Sequence, residues 1–405
     1  MTNIKNQILK PKSRLKLDHL GQYYASINCE ENPGTFSVTA HLKEILQPDI
    51  LQQAVNDLIQ RLPHLNVRLG NGIFWYYHEI LGTPLQIIPS NSTSTPANYF
   101  KKGEALTRIL YGEHHLTVEV FHSVCDGRSL SKVVSALLMR YFEILGCSID
   151  KQKMIDCTTS MNKEEIEDAY ECHADLRKSK PEKFKDGYTP RYQPTTPKTI
   201  IKSFNLDLLK SKAKIHGINI TEYIITHIMN EFRRLREKDN CQMPIAINVP
   251  IDCRSFFPTK CLRNFVSSKK IAMSENLTFL DIVLLVKEQL SGINANYIQE
   301  KISEMENLIR LVKYVPLFIK KWLIRKVGEA ESAGISTAFS NLGLIKLPLE
   351  IESQVEMLSF ALGAEPNMPY QFGCVAIGNT LTLTMTIIAK DEAIFENICA
   401  ALEGT

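Results

Sequence analysis

The sequence predicts an α+β fold, with helices segregated from sheet rather than strictly alternating with strands. Three observations carry that expectation. Short runs with the two-residue period of half-buried strands occur in both halves of the chain, beside longer runs with the 3.6-residue period of amphipathic helices. Several strand candidates follow one another through tight turns. A charged, proline-containing stretch at 176–198 separates the halves.

Taken in order, residues 36–44 alternate as a strand. Residues 48–61 place Ile50, Leu51, Ala54, Val55, Leu58 and Ile59 on one helical stripe, with Pro48 near its start, where a missing N–H costs little. Leu65–Leu69 and Ile73–Glu79 read as strands joined by a hairpin turn at Gly70-Asn71-Gly72. Residues 105–111 and 116–121 form a second strand pair, and His114-His115 falls in the turn between them. Leu130–Leu145 is a helix with Leu130, Val133, Val134, Leu137, Leu138 and Tyr141 on one face. Past the linker come a strand (Thr199–Asn205), a helix (Leu206–Lys214) and a helix over Thr221–Arg236 with Thr221 as its cap. Pro244–Pro250 reads as a short strand, Thr278–Gln289 as a helix, and helical periodicity continues to about Lys326. Two apolar strands, Gly373–Gly378 and Thr380–Ala389, turn at Asn379 near the end.

At 405 residues the chain suggests two domains, 1–177 and 199–405, joined by a linker at 178–198. Forty-seven basic residues against 44 acidic ones leave a net charge of +3, too even a balance for a nucleic-acid partner. None of the ten cysteines makes a C-x-x-C pair, and Cys157, Cys172 and His173 lack zinc spacing, so reduced thiols in a cytoplasmic protein without a metal site are expected. The first residues have no apolar stretch long enough for a signal peptide, and no window suggests a membrane span. Neither G-x-G-x-x-G nor G-x-x-x-x-G-K occurs, which argues against nucleotide chemistry.

The chemistry centres on Leu116–Gly127, where an apolar strand delivers His122 at its end and a turn follows with Asp126 and Gly127. An imidazole there is rigidly held yet sits at an element terminus, where a cavity can open. Its ordinary pKa, about 6.5, lets it take a proton near neutral pH. The bland alternative is a solvated loop histidine beside an aspartate that caps the next helix. Gly127 is read as a position needing backbone freedom.

The signature His122-x-x-x-Asp126-Gly127 resembles that of the superfamily containing chloramphenicol acetyltransferase, alcohol acetyltransferases, polyketide-associated acyltransferases and peptide-synthetase condensation domains. Further stretches resemble it in the same order. Leu51 to Leu69, with Arg61, Pro63 and Leu65, matches the entry helix and strand. Asn248 to Arg254, with Val249, Pro250 and Asp252, resembles the V-P-V-D-x-R segment, and Arg263-Asn264-Phe265 follows it. Phe339 to Pro348, with Ser340, Asn341 and Gly343, looks like the crossover strand.

The resemblance implies two similar chloramphenicol-acetyltransferase-like α/β sandwich domains around a central tunnel. It implies His122 as general base for direct transfer of an acyl group from a thioester to a hydroxyl or amine acceptor, without an acyl-enzyme. Acyl-coenzyme A would be the default co-substrate and an acyl carrier protein thioester the rival. It also implies a structural pair between Asp126 and Arg254. Ser340 and Asn341 are candidate oxyanion donors. Two departures matter. Phe121 stands where condensation domains usually carry a first histidine, which leans away from peptide synthesis. Tyr370–Cys374 lacks the Asp and Trp of the plant D-F-G-W-G motif, so a plant-type coenzyme A contact does not carry over.

Residues 307–327 combine Leu308, Leu311, Val312, Val315, Phe318, Trp322 and Leu323 with Arg310, Lys313, Lys320, Lys321, Arg325 and Lys326. The preferred reading is a core or tunnel-wall helix, interrupted at Pro316, with its lysine stems snorkelling. The alternative is a basic amphipathic helix on a membrane surface.

Overall fold

A computed structural model describes residues 10–91, 100–151, 154–175, 187–363 and 365–404. The chain opens with β1 (Arg14–Lys16), α1 (His19–Ile27), β2 (Thr35–Leu42) and α2 (Pro48–Arg61). Strands β3 (Val67–Asn71), β4 (Tyr76–Ile80), β5 (Ile87–Pro89), β6 (Thr107–Tyr111) and β7 (His115–Phe121) follow. Helices α3 (Gly127–Ile144) and α4 (Ala169–His173) end the first half. The second half holds β8 (Pro194–Asn205), α5 (Leu206–Ile215), α6 (Ile220–Lys238), β9 (Ile245–Asp252) and β10 (Val266–Met273). Three helices come next: α7 (Phe279–Ser291), α8 (Ala295–Leu311) and α9 (Leu317–Ser332). The chain finishes with β11 (Thr337–Leu344), α10 (Leu349–Glu352), β12 (Val355–Leu362), β13 (Tyr370–Ile377), β14 (Thr380–Ala389) and α11 (Ala393–Glu403).

The strands form two large sheets and one small one, ordered β12-β2-β7-β6-β5, β10-β9-β11-β13-β14-β8 and β1-β4-β3. Helices α2 and α3 pack together beside the first large sheet, and α5, α6, α7 and α11 serve the second. Two separate apolar cores result, one per lobe. Strand β7 is buried at every position, so the residue after it is delivered from a rigid platform.

Several elements differ from the sequence reading. Gly70 and Asn71 are strand residues paired with Tyr77 and Tyr76, and the Tyr77 ring lies where a Cβ on Gly70 would sit. The turn therefore shifts to residues 72–75, closed by Gly72 N–H donating to the Trp75 carbonyl at 2.9 Å. Helix α3 starts three residues before Leu130, capped by Asp126, whose carboxylate accepts from Ser129 N–H. Helix α6 is capped by Asn219 rather than Thr221, in a capping box with Glu222. His115 is a buried strand residue, and only its neighbour His114 occupies the turn.

Residues 178–186 of the expected linker lie outside the described residues, and its last part is already strand β8. That strand tolerates Pro194 and Pro197 because it is the sheet's edge, where a missing N–H breaks no central ladder. The crossover is also elsewhere than expected. β11 stays in the second sheet between β9 and β13, and it is β12 that pairs antiparallel with β2 in the first. Among the described residues no helix is long and apolar enough to cross a membrane.

Candidate active site

Where the lobes meet, a cavity of about 700 Å³ is lined from both sides. Tyr24, Phe36 and His122 reach it from the first half of the chain, and Asn248, Ser340 and Gln371 from the second. Its ceiling includes Phe360 and Leu362 of the crossing strand β12.

His122 immediately follows β7, its N–H donating to the Gly34 carbonyl at 2.9 Å. The ring lies parallel to Tyr24, centroids 4.1 Å apart, and meets Phe36 edge-on at 4.8 Å. Burial among these rings pushes the imidazole pKa down, against the opposing pull of its own carbonyl, Asp126 and Asn264. The neutral form is thereby favoured.

The tautomer follows from Asn264. Its amide nitrogen donates to the His122 carbonyl at 2.9 Å and to the Asp18 carboxylate at 3.1 and 3.3 Å. That fixes the amide's orientation and leaves its oxygen 3.2 Å from His122 Nδ1. An oxygen can only accept, so Nδ1 carries the proton and Nε2 is the basic nitrogen. Asp18 is itself fixed as the cap of α1, accepting from Gly21 N–H at 2.7 Å. Arg263 adds an ion pair to it at 3.4 Å. The Arg263-Asn264-Phe265 stretch carried no chemical role in the sequence reading, and Asp18 and Tyr24 were not singled out at all.

Asp126 and Arg254 meet across the lobes. Arg254 Nη1 donates to Asp126 Oδ2 at 2.8 Å, and both side chains are buried. The same carboxylate accepts from Phe265 N–H at 2.7 Å and Ser129 N–H at 2.8 Å, so the residue is a helix cap and an ion-pair partner at once. Although burial pulls the other way, the guanidinium and these N–H groups hold the carboxyl pKa low. The contact is not a two-pronged fork: Arg254 Nη2 goes instead to the Arg263 carbonyl at 2.7 Å and to Ser129 Oγ at 3.0 Å.

The remaining candidates fare differently. Gly127 is helical and not among the residues with positive φ, so backbone freedom is not its reason. Close approach is: a Cβ there would lie 2.8 Å from Leu342 Cδ2. Ser340 and Asn341 both line the cavity. The Asn341 amide, however, is engaged locally, its oxygen accepting from Gly343 N–H at 2.7 Å and its nitrogen donating to Thr221 at 3.0 Å. Glu365, which sequence reading also passed over, lines the same cavity, its carboxyl pushed up to about 7 by burial. Among the described residues no group of three or more His, Cys, Asp or Glu is placed to hold a metal ion.

No family model matches the chain, and no curated protein matches its sequence. Solved structures do match its shape over nearly full length. Polyketide synthase associated protein 5 from Mycobacterium tuberculosis is similar at a TM-score of 0.67 and 15% identity, over 97% of this chain and 98% of that one. TRI3 trichothecene 15-O-acetyltransferase from Fusarium sporotrichioides gives 0.64 and 9%, over 98% of each. The condensation domain of the Monacolin K polyketide synthase MokA gives 0.60 and 11%, over 97% and 96%. Two lobes, two large sheets exchanging a strand, and a cavity between them make this the chloramphenicol-acetyltransferase-like fold shared by condensation domains and acyltransferases.

Proposed function

We propose that the protein is an acyltransferase that moves an acyl group from a thioester to a hydroxyl or amine acceptor, with His122 as general base. The observation that carries this reading is the Asp18–Asn264–His122 chain of hydrogen bonds, which protonates Nδ1 and leaves a neutral imidazole with a basic Nε2 at the inter-lobe cavity. The acceptor's O–H or N–H gives its proton to Nε2 as its heteroatom attacks the thioester carbonyl. The tetrahedral intermediate collapses with cleavage of the C–S bond, and the imidazolium returns the proton to the leaving sulfur. No bond to the protein forms. A base so placed contributes ~10²–10⁴-fold.

Asp126 and Arg254 hold the turn after His122 and act through position alone. The developing oxyanion needs a donor in the cavity wall. Ser340 is the better of the two candidates, because Asn341 already spends its oxygen and one N–H on neighbours. Acyl-coenzyme A is the default donor. An acyl carrier protein is the second reading, favoured by similarity of fold to condensation domains.

The test is thiol release from acyl-coenzyme A and from acylated carrier protein, each with hydroxyl and amine acceptors. Acceptor-dependent release with no acyl adduct on the intact protein is expected. Release without any acceptor, or no turnover of either donor, would count against acyl transfer and favour a binding module.

A further inference from the structure

Helix α9 is packed inside out. Lys320 is its most buried long side chain, 1% exposed, with Nζ donating to the Phe74 carbonyl at 2.7 Å above the Trp75 ring. Gly328 lies against Tyr23 with no room for a Cβ, and Arg325 donates to the carbonyls of Ser26 and Asn28. The inward face is thus basic and small. The outward face carries Phe318, 75% exposed, and Trp322, 59% exposed, with Ile319, Leu323 and Val327 beside them. The tight β3–β4 turn extends the face: Ile73 accepts from Leu317 N–H through its carbonyl, and Phe74 meets Tyr314 edge-on at 6.3 Å. Ile73, Leu308, Leu311 and Tyr314 are exposed as well. The expectation of a core or tunnel-wall helix therefore holds at Leu308, which lines the cavity, but not along α9, whose large apolar side chains turn outward.

We infer that this face docks on the surface of an anionic lipid bilayer. The charge pattern selects that occupant. Residues 308–327 contain six basic side chains and no acidic one. Lys320 and Arg325 turn inward; of the other four, Arg310 pairs with Glu306 and Lys326 with Glu329, while exposed Lys313 and half-exposed Lys321 have no ion-pair partner among the described residues. A belt of cations around exposed Phe and Trp fits a phosphate headgroup layer over acyl chains. The helix would meet that layer lengthwise, along its exposed apolar face. Leu308 belongs both to this face and to the cavity lining, which places the bilayer at the mouth of the site. The inference stands on this geometry alone and does not depend on acyl transfer.

Sedimentation of the full chain with vesicles tests it, without any acyl donor. Phosphatidylcholine vesicles carrying about one third phosphatidylglycerol should bind the wild type, and salt or pure phosphatidylcholine should weaken binding. The double variant Phe318→Glu/Trp322→Glu should stay in the supernatant. Lys313→Glu/Lys321→Glu should lower partitioning by roughly fivefold or more per charge. Unchanged thermal unfolding of both variants confirms that they fold. A wild type that ignores anionic vesicles overturns the inference, as does equal binding by both variants. A concentration-dependent dimer abolished by Phe318→Glu/Trp322→Glu, without vesicle binding, would assign the face to a second copy of the chain instead.

Discussion

The imidazole of His122 is oriented by Asn264, which is itself oriented by Asp18 and by the His122 carbonyl. Replacing Asn264 by Leu removes the acceptor that keeps the proton on Nδ1. Turnover should then fall by ~10²-fold with substrate binding little changed, read as a loss of kcat rather than a rise of KM. Asp126→Ala belongs to stability instead. It strands the buried Arg254 guanidinium and uncaps α3, so chemical denaturation should report a loss of ~3–5 kcal/mol, where a lost cap alone costs ~1 kcal/mol. His122, Asp126 and Arg254 were legible because each sits inside a short motif. Asn264 lay in the Arg263-Asn264-Phe265 stretch without a role and Asp18 in no motif at all: hydrogen bonds spanning 142 and 246 positions give them their roles, and no local pattern encodes such partners. Nor could the sequence show that Asn341 spends one N–H on Thr221, 120 residues away.

Element by element, periodicity located most helices and strands but not which way they face. The 307–327 stretch shows the limit most plainly. Its apolar residues recur as a core helix's would, and only contacts such as that of buried Lys320 with the Phe74 carbonyl and the Trp75 ring reveal that the face points outward. Close approach is equally hidden in sequence, because a glycine announces freedom rather than crowding. A Cβ on Gly373 of β13 would collide with the Phe360 carbonyl of β12, where the crossing strand passes over the second sheet. A Cβ on Gly127 would press only on a flexible Leu342 methyl. Gly127→Ala should therefore cost about 1–3 kcal/mol, and Gly373→Ala distinctly more. Equal losses in denaturant melts would contradict this account of the lobe junction.

On the scale of the whole molecule, two lobes share a strand, and many titratable groups lie buried in and between them. Burial lowers His41 and His227 to about 4 and His64 and His78 to about 3, and lowers His122 too. It raises Asp18, Glu331 and Glu365. Between about pH 6.5 and 4.5 the unfolded chain gains protons at His41, His64, His78 and His227, four histidines that the native protein leaves neutral. The native state retains at most three extra protons, on those carboxyls. Since the unfolded state binds more, stability must fall as pH falls through this window, and Tm should be lower near pH 5 than near pH 7. A Tm that is flat or rises on acidification would contradict these buried neutral histidines. The two-part, mixed architecture was visible in the sequence, whereas the exchange of β12 was not, because pairing with β2 joins segments from opposite ends of the chain. The cavity that this exchange helps to roof is where the central claim is tested. The decisive measurement is acceptor-dependent thiol release by His122→Ala beside the wild type, with native folding verified by thermal melt. A loss of ~10²-fold or more is predicted. Undiminished turnover in a folded His122→Ala protein would contradict His122 as the base.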